Sequence, residues 1–169
     1  MGGVSINMNL KKRKVSLTEI VILLLKPDNY VSNPFFPSVL KENTEIQAEF
    51  GADNVETYEY EYRGWTISFR PDQVMENEIL EFKVKRPYTK EPELKDFAYI
   101  QGLLQAYMMG IPKFRVVIVY YNPSENAKKV ESEVTYDVAE GEAVGYLDLA
   151  TERLEKLREL LVPIKVGQR

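Results

Sequence analysis

A mixed α/β domain, with a sheet flanked by helices, is the fold class the sequence predicts, and three observations carry it. Three short segments between residues 56 and 85 alternate apolar and polar side chains with period 2, the signature of half-buried strands. A long helical segment then separates them from FRVVIVYY (114–121), a mostly apolar run suited to a central strand. A strand, a helix and a further strand in that order make the crossover by which parallel strands pair. The expected order is α-α-β-β-β-α-β-β-α, in a single domain over 1–169.

The elements follow in turn. Residues 1–14 read as a flexible basic start ending in KKRK. Ser16 and Glu19 form a capping box, so a helix runs from there to about Lys26 and stops at Pro27. Its apolar run IVILLL (20–25) is too short to span a bilayer and reads as a buried helix. PDNYVSNPFFP (27–37) is loop, punctuated by three prolines. A second helix is expected from about Ser38 to Phe50, with Gly51 as its stop, Val39, Ile46 and Phe50 facing the core, and Glu42, Glu45 and Glu49 on one side.

ETYEYEYR alternates Tyr58, Tyr60 and Tyr62 with Glu59 and Glu61; Arg63-Gly64 is a turn; WTISFR alternates Trp65, Ile67 and Phe69 with Thr66, Ser68 and Arg70. Glu76-Asn77 is a tight connection to ILEFKVK, and the three strands are expected to form an antiparallel meander. RPYTKEPE is a polar loop before a helix from about Glu93 to Met109, stopped by Gly110. VESEVTYDV is a further strand. Residues 145–161 make a terminal amphipathic helix bearing Leu147, Leu154, Leu157 and Leu161.

Composition excludes much chemistry. The chain has 169 residues, no cysteine and no histidine. Thiol nucleophiles, disulfides, cysteine-held iron–sulfur clusters, Ser-His or Cys-His triads and His- or Cys-bound zinc are all ruled out. Any catalytic metal must be held by oxygen, which favours Mg²⁺ or Mn²⁺. The net charge of -4 argues against a uniformly basic surface but leaves room for a local basic patch. With no span and no cleavable leader pattern the protein reads as cytoplasmic. A charge-rich, cysteine-free composition suits a thermophilic source.

One constellation carries chemistry. In a strand, residues i and i+2 share a face, so Glu81 and Lys83 point together while Leu80, Phe82 and Val84 take the opposite, buried side. Asp72 ends the preceding strand, and the meander brings it alongside. Two carboxylates, with the backbone carbonyl of Phe82 between Glu81 and Lys83, can hold a hard cation that keeps some of its waters. Lys83 can then orient a nucleophilic water and offset the charge that develops on an attacked phosphate.

Pro71-Asp72, eight intervening residues and Glu81-Phe82-Lys83 resemble the PD-(D/E)xK signature of the restriction-endonuclease-like nuclease superfamily. The resemblance implies a restriction-endonuclease-like core and a Mg²⁺- or Mn²⁺-dependent deoxyribonuclease in which Asp72, Glu81 and the Phe82 carbonyl bind the metal and Lys83 positions the water. The chain looks most like families of the RecB and Cas4 type. These place an acidic or histidine residue on a helix before the strands. Glu45 is the match here, with Glu42 and Glu49 as competitors, and it would add a metal contact or relay a proton. They also place Gln-xxx-Tyr on the helix after the signature. Gln101 matches and is expected to support the site. The tyrosine position is Gln105, read as polar helix flank, and Tyr107 lies two residues later. The Cas4 cysteines are absent, so no iron–sulfur cluster is expected.

DNA is the expected partner, single- or double-stranded. Lys85, Arg86 and Lys90 directly follow the signature, where a phosphate chain would run. The competing view of these residues is a solvated loop, and of KKRK a soluble terminus rather than a nucleic-acid arm. The tyrosines at 58, 60 and 62 are expected to cover the sheet rather than stack on bases. Many relatives pair their sites, so the resemblance admits a homodimer. Two other functions stay open: a catalytically inactive nuclease fold that binds nucleic acid or serves assembly, and a structural protein that dimerises through its tyrosine strand.

Overall fold

The computed structural model describes residues 8–25 and 37–161. Residues 1–7, 26–36 and 162–169 lie outside these. So do most of the expected loop over 27–37 and the side chain of Val39.

The expected flexible basic start is replaced, from Asn9 on, by ordered chain. Asn9 and Lys14 bridge across a tight turn, with Arg13 at φ 53°. Strand β1 (Lys14–Ser16) then pairs parallel to a later strand. The capping box forms as expected at the start of α1 (Leu17–Leu25): the Glu19 N–H donates to Ser16 Oγ at 3.2 Å and the Ser16 N–H donates to Glu19 Oε1 at 3.1 Å. α2 (Pro37–Glu49) ends before Gly51, whose φ of 123° is strained for any residue with a side chain and where an added Cβ would stand 3.3 Å from Phe82 Cζ.

β2 (Tyr58–Tyr62) and β3 (Trp65–Phe69) form a hairpin whose two turn residues, Arg63 and Gly64, both have positive φ. This is the turn sense that matches the right-handed twist of paired strands. The expected alternation on β3 is clean: Trp65, Ile67 and Phe69 are buried. The expected three-stranded meander does not form. β3 breaks at Arg70-Pro71-Asp72, and a two-residue strand, β4 (Gln73–Val74), resumes and pairs antiparallel with β5 (Glu78–Lys85). The strands divide into one sheet ordered β1-β3-β2 and a second in which β4 and β5 are followed by β6 (Lys113–Asn122) and β7 (Ala127–Asp137). Pro71 has no N–H to offer a ladder, which suits the break.

α3 (Glu91–Met109) crosses between β5 and β6, which pair parallel from Glu78↔Lys113 to Lys85↔Tyr120. Gly110 closes the helix in the left-handed conformation at φ 68°. β7 adds antiparallel to β6, with a bulge near Ile118. α4 (Glu140–Leu161) begins five residues before its expected start. Ala143, Leu147, Ala150 and Leu154 make its buried stripe and Leu157 packs at the margin, whereas Leu161 is 64% exposed and takes no part in the core.

Two apolar clusters sandwich β5 and β6. The larger one joins α1, α3, α4 and β3 to Ile79, Phe114, Val116 and Ile118. The smaller one packs Ile46 of α2 on Leu80, Phe82, Val84, Val117 and Val119. β5 is therefore covered on both faces, as parallel strands usually are. No helix among the described residues is long and apolar enough to cross a membrane. The described residues make a mixed α/β fold with two sheets and four helices.

Candidate active site

The odd-numbered residues of β5 turn toward α3. Glu81 is only 3% exposed there, although sequence alternation gives no hint that this face is covered. Lys83 Nζ lies 3.2 Å from Glu81 Oε1 and donates to Gln101 Oε1 at 2.6 Å. It also sits 5.0 Å from the centroid of the Phe97 ring, over whose face a cation is attracted. The other Glu81 oxygen accepts from Gln105 Nε2 at 3.1 Å.

Asp72 reaches the same point from the bend before β4. Its Oδ2 accepts the Phe82 N–H at 2.8 Å. The bend itself is held by Asn54, whose Nδ2 donates to the Pro71 carbonyl at 2.7 Å and whose N–H donates to the Asp72 carbonyl at 3.0 Å. Asp72 thus arrives by a pinned loop rather than across a strand ladder. Asp72, Glu81 and Lys83 come together around Phe82.

Burial pushes the Glu81 carboxyl up to about 8, with the neighbouring Asp72 charge adding to the rise and Lys83 opposing it. Two carboxylates brought together in the interior repel unless a proton or a cation lies between them. The donor set fits a hard divalent ion: two carboxylates, a backbone carbonyl, no nitrogen or sulfur ligand. Gln105 Oε1 is buried without a partner and can accept from a water on such an ion. No group of three or more Asp or Glu side chains forms among the described residues, so the remaining ligands would be the Phe82 carbonyl and water.

Helix α2 sends an amide to the site. Gln47 Nε2 donates to the Phe82 carbonyl at 2.8 Å. Glu45, two residues earlier, is exposed on the helix surface. Glu42 pairs with Arg86 at 2.6 Å and Glu49 with Lys128 at 2.9 Å. Neither Gln47 nor Gln105 was expected in the site. One signal for Gln105 was present in the spacing. Two residues along a strand span about 6.6 Å and four along a helix about 6 Å, so Gln101 and Gln105 match Lys83 and Glu81 rung for rung across an antiparallel helix.

The basic residues after the signature are largely engaged. Lys85 bridges Glu91 at 3.2 Å and Glu131 at 3.0 Å. Arg86 is 5% exposed, bonded to Glu42 and Asn43 and set over the Tyr121 ring. Lys90 is exposed at the start of α3. Within KKRK, Arg13 pairs with Glu155 at 2.9 Å and Lys14 lies in β1, while Lys11 and Lys12 are exposed. Tyr58, Tyr60 and Tyr62 are half-buried against the larger core, Tyr60 edge-on to Tyr107. Beside Gln101 and Gln105 opens a cleft of about 340 Å³, walled by Ser16, Leu17 and Thr18 at the start of α1 and by Ser68, Phe69 and Arg70 at the end of β3, with Thr57.

No protein-family model and no curated protein matches the chain. Solved structures do. The crystal structure of LHK-Exo, an alkaline exonuclease from Laribacter hongkongensis, matches at a TM-score of 0.52 and 16% identity over 89% of this chain and 92% of that one. The same exonuclease in complex with dAMP matches at 0.51 and 15%, over the same shares. The crystal structure of SSO0001 matches at 0.52 and 15%, over 87% of this chain and 79% of that one. The fold is that of the exonuclease.

Proposed function

We propose that the protein is a divalent-metal-dependent nuclease that hydrolyses DNA phosphodiester bonds. The observation that carries this is the buried Glu81 carboxylate, held between Asp72 and Lys83 on a strand that shares its fold with an alkaline exonuclease. The exonuclease's complex with dAMP, a deoxyribonucleotide, favours DNA as the substrate. The Pro71-Asp72 and Glu81-Phe82-Lys83 pattern supports the same chemistry.

Asp72, Glu81 and the Phe82 carbonyl would hold Mg²⁺ or Mn²⁺. The ion supplies charge neutralisation at the attacked phosphate and a more acidic bound water. The chain's own residues do the rest. The Phe82 N–H fixes Asp72 through one oxygen. Lys83 spends protons on Gln101 and Glu81, and its third can orient the attacking water and offset charge on the phosphoryl oxygens. Gln101 sets where that ammonium stands. Glu45 receives no part in this account, because α2 presents Gln47 to the Phe82 carbonyl instead. Exposed Lys90 and Arg70 are the basic side chains assigned to the DNA backbone.

The test is incubation of labelled single- and double-stranded DNA with the protein in Mg²⁺, Mn²⁺ or EDTA. Cleavage in either metal and none in EDTA is the expected result. Binding without cleavage in every metal would leave a catalytically inactive nucleic-acid-binding module.

A further inference from the structure

Residues 81, 82 and 83 each take one glutamine. Gln105 donates to the Glu81 carboxylate, Gln47 to the Phe82 carbonyl, and Gln101 accepts from Lys83. Gln105 is the costly member. It is 1% exposed, flanked on α3 by buried Leu103, Leu104, Ala106 and Met108, and its Oε1 has no partner. An orphaned buried acceptor is destabilising, whereas Leu or Met would fill the place with no polar group to satisfy. Helix propensity gives no reason for it, since Gln, Leu and Met are about equal.

We propose that Gln105 is a positioning residue that sets the cation affinity of the site through Glu81, an inference that rests on the nuclease reading. A carboxylate with one oxygen on the Lys83 ammonium and the other free can rotate about its terminal bond, which is a broad, soft torsion. With Nε2 on Oε2 and Lys83 on Oε1, both oxygens are pinned and the plane of the carboxylate is fixed. The remaining lone pairs then face one direction. The unspent Oε1 of Gln105 stands beside them as an acceptor for a cation-bound water. Such supporting partners typically account for 10–100-fold in metal affinity. The same side chain serves opposite roles one helical turn apart: Gln101 offers its oxygen to the ammonium, and Gln105 its N–H to the carboxylate.

The test is Mn²⁺ binding by calorimetry to the wild type, Gln105→Met and Gln105→Leu, without DNA, beside cleavage rates over a range of Mn²⁺. The variants should bind Mn²⁺ at least tenfold more weakly, melt no lower than the wild type, and recover most of the cleavage rate as Mn²⁺ is raised. Unchanged Mn²⁺ affinity in both variants would overturn the proposal. So would a cleavage loss that added Mn²⁺ does not restore. A second readout needs no variant: the Gln105 side-chain amide signals should shift when Mg²⁺ is added to the wild type, and unmoved signals would overturn it equally. If the wild type itself binds no Mn²⁺, it is the nuclease reading that fails, and the two failures are distinguishable.

Discussion

Lys83 Nζ stands 3.2 Å from Glu81 Oε1, two residues back along the same strand, and Gln101 holds the ammonium there from the facing helix. Strand periodicity puts the two charges on one face, and α3 closes that face against solvent. Lys83→Gln should keep a neutral partner for Gln101 but remove the charge proposed to offset that on the phosphoryl oxygens. A cleavage rate lower by about 10²–10³, with little change in Mn²⁺ affinity, is expected. Steady-state kinetics beside calorimetry checks it.

Glu81 should make the metal-free protein pH-sensitive. Its folded value of about 8 lies above the ordinary carboxylate value, so the folded state holds a proton that the unfolded state has lost. Stability from this group is therefore full below about pH 4.5 and falls as pH rises toward 8. A loss on the order of a few kcal/mol between pH 5 and 9 is expected in EDTA, and Glu81→Gln should flatten it. The same proton must leave when a cation is bound, so Mg²⁺ affinity should rise with pH up to about 8. Thermal melts and metal titrations across pH measure both.

Asp72 contributes to the rise at Glu81, so removing its charge should relieve the metal-free fold. Asp72→Asn keeps an oxygen for the Phe82 N–H. It is expected to raise the melting temperature at pH 8 without metal while abolishing cleavage. A melting temperature that falls would show that the carboxylates do not repel as described.

How much of this was legible in the sequence depended on whether local pattern or long-range contact decided the matter. The capping box at Ser16 and Glu19, the stops at Gly51 and Gly110 and the alternation of β3 are set by residues near one another in the chain, and all stood where expected. The meander failed because alternation shows that a segment is a strand without showing which strand it pairs with. Pro71 ends the β3 ladder, and β4 takes over beside β5. The basic start gained order from partners far along the chain, Glu155 and β3. Arg86 looked like a free charge in a polar loop because Glu42, its partner, lies 44 residues away. Gln105 was missed because helical periodicity does not show when a polar side chain is buried opposite another element.

The proposed nucleic-acid contacts can be separated by their surroundings. Lys90→Ala should lower the salt dependence of DNA binding by about one counterion and leave the fold intact. Arg86→Ala should instead destabilise the protein, by about 1–3 kcal/mol, because it strands the bonds that join α2 to β5. Salt titrations of binding beside denaturant melts tell the two roles apart.

Packing of the crossover helix against β6 is tight enough to be tested by one methyl group. A Cβ at Gly102 would lie 2.6 Å from Phe114 Cδ2. Gly102→Ala should therefore cost about 1–3 kcal/mol despite the better helix propensity of alanine. A neutral or stabilising result in denaturant melts would mean that α3 sits farther from the sheet.

The most direct measurement is cleavage of labelled DNA in Mn²⁺ by the wild type beside Glu81→Ala and Lys83→Ala, with each variant shown to be folded. Cleavage by the wild type that both variants lose is the expected result, and it would place the chemistry on β5. Cleavage that persists in both would contradict the account and put the activity elsewhere.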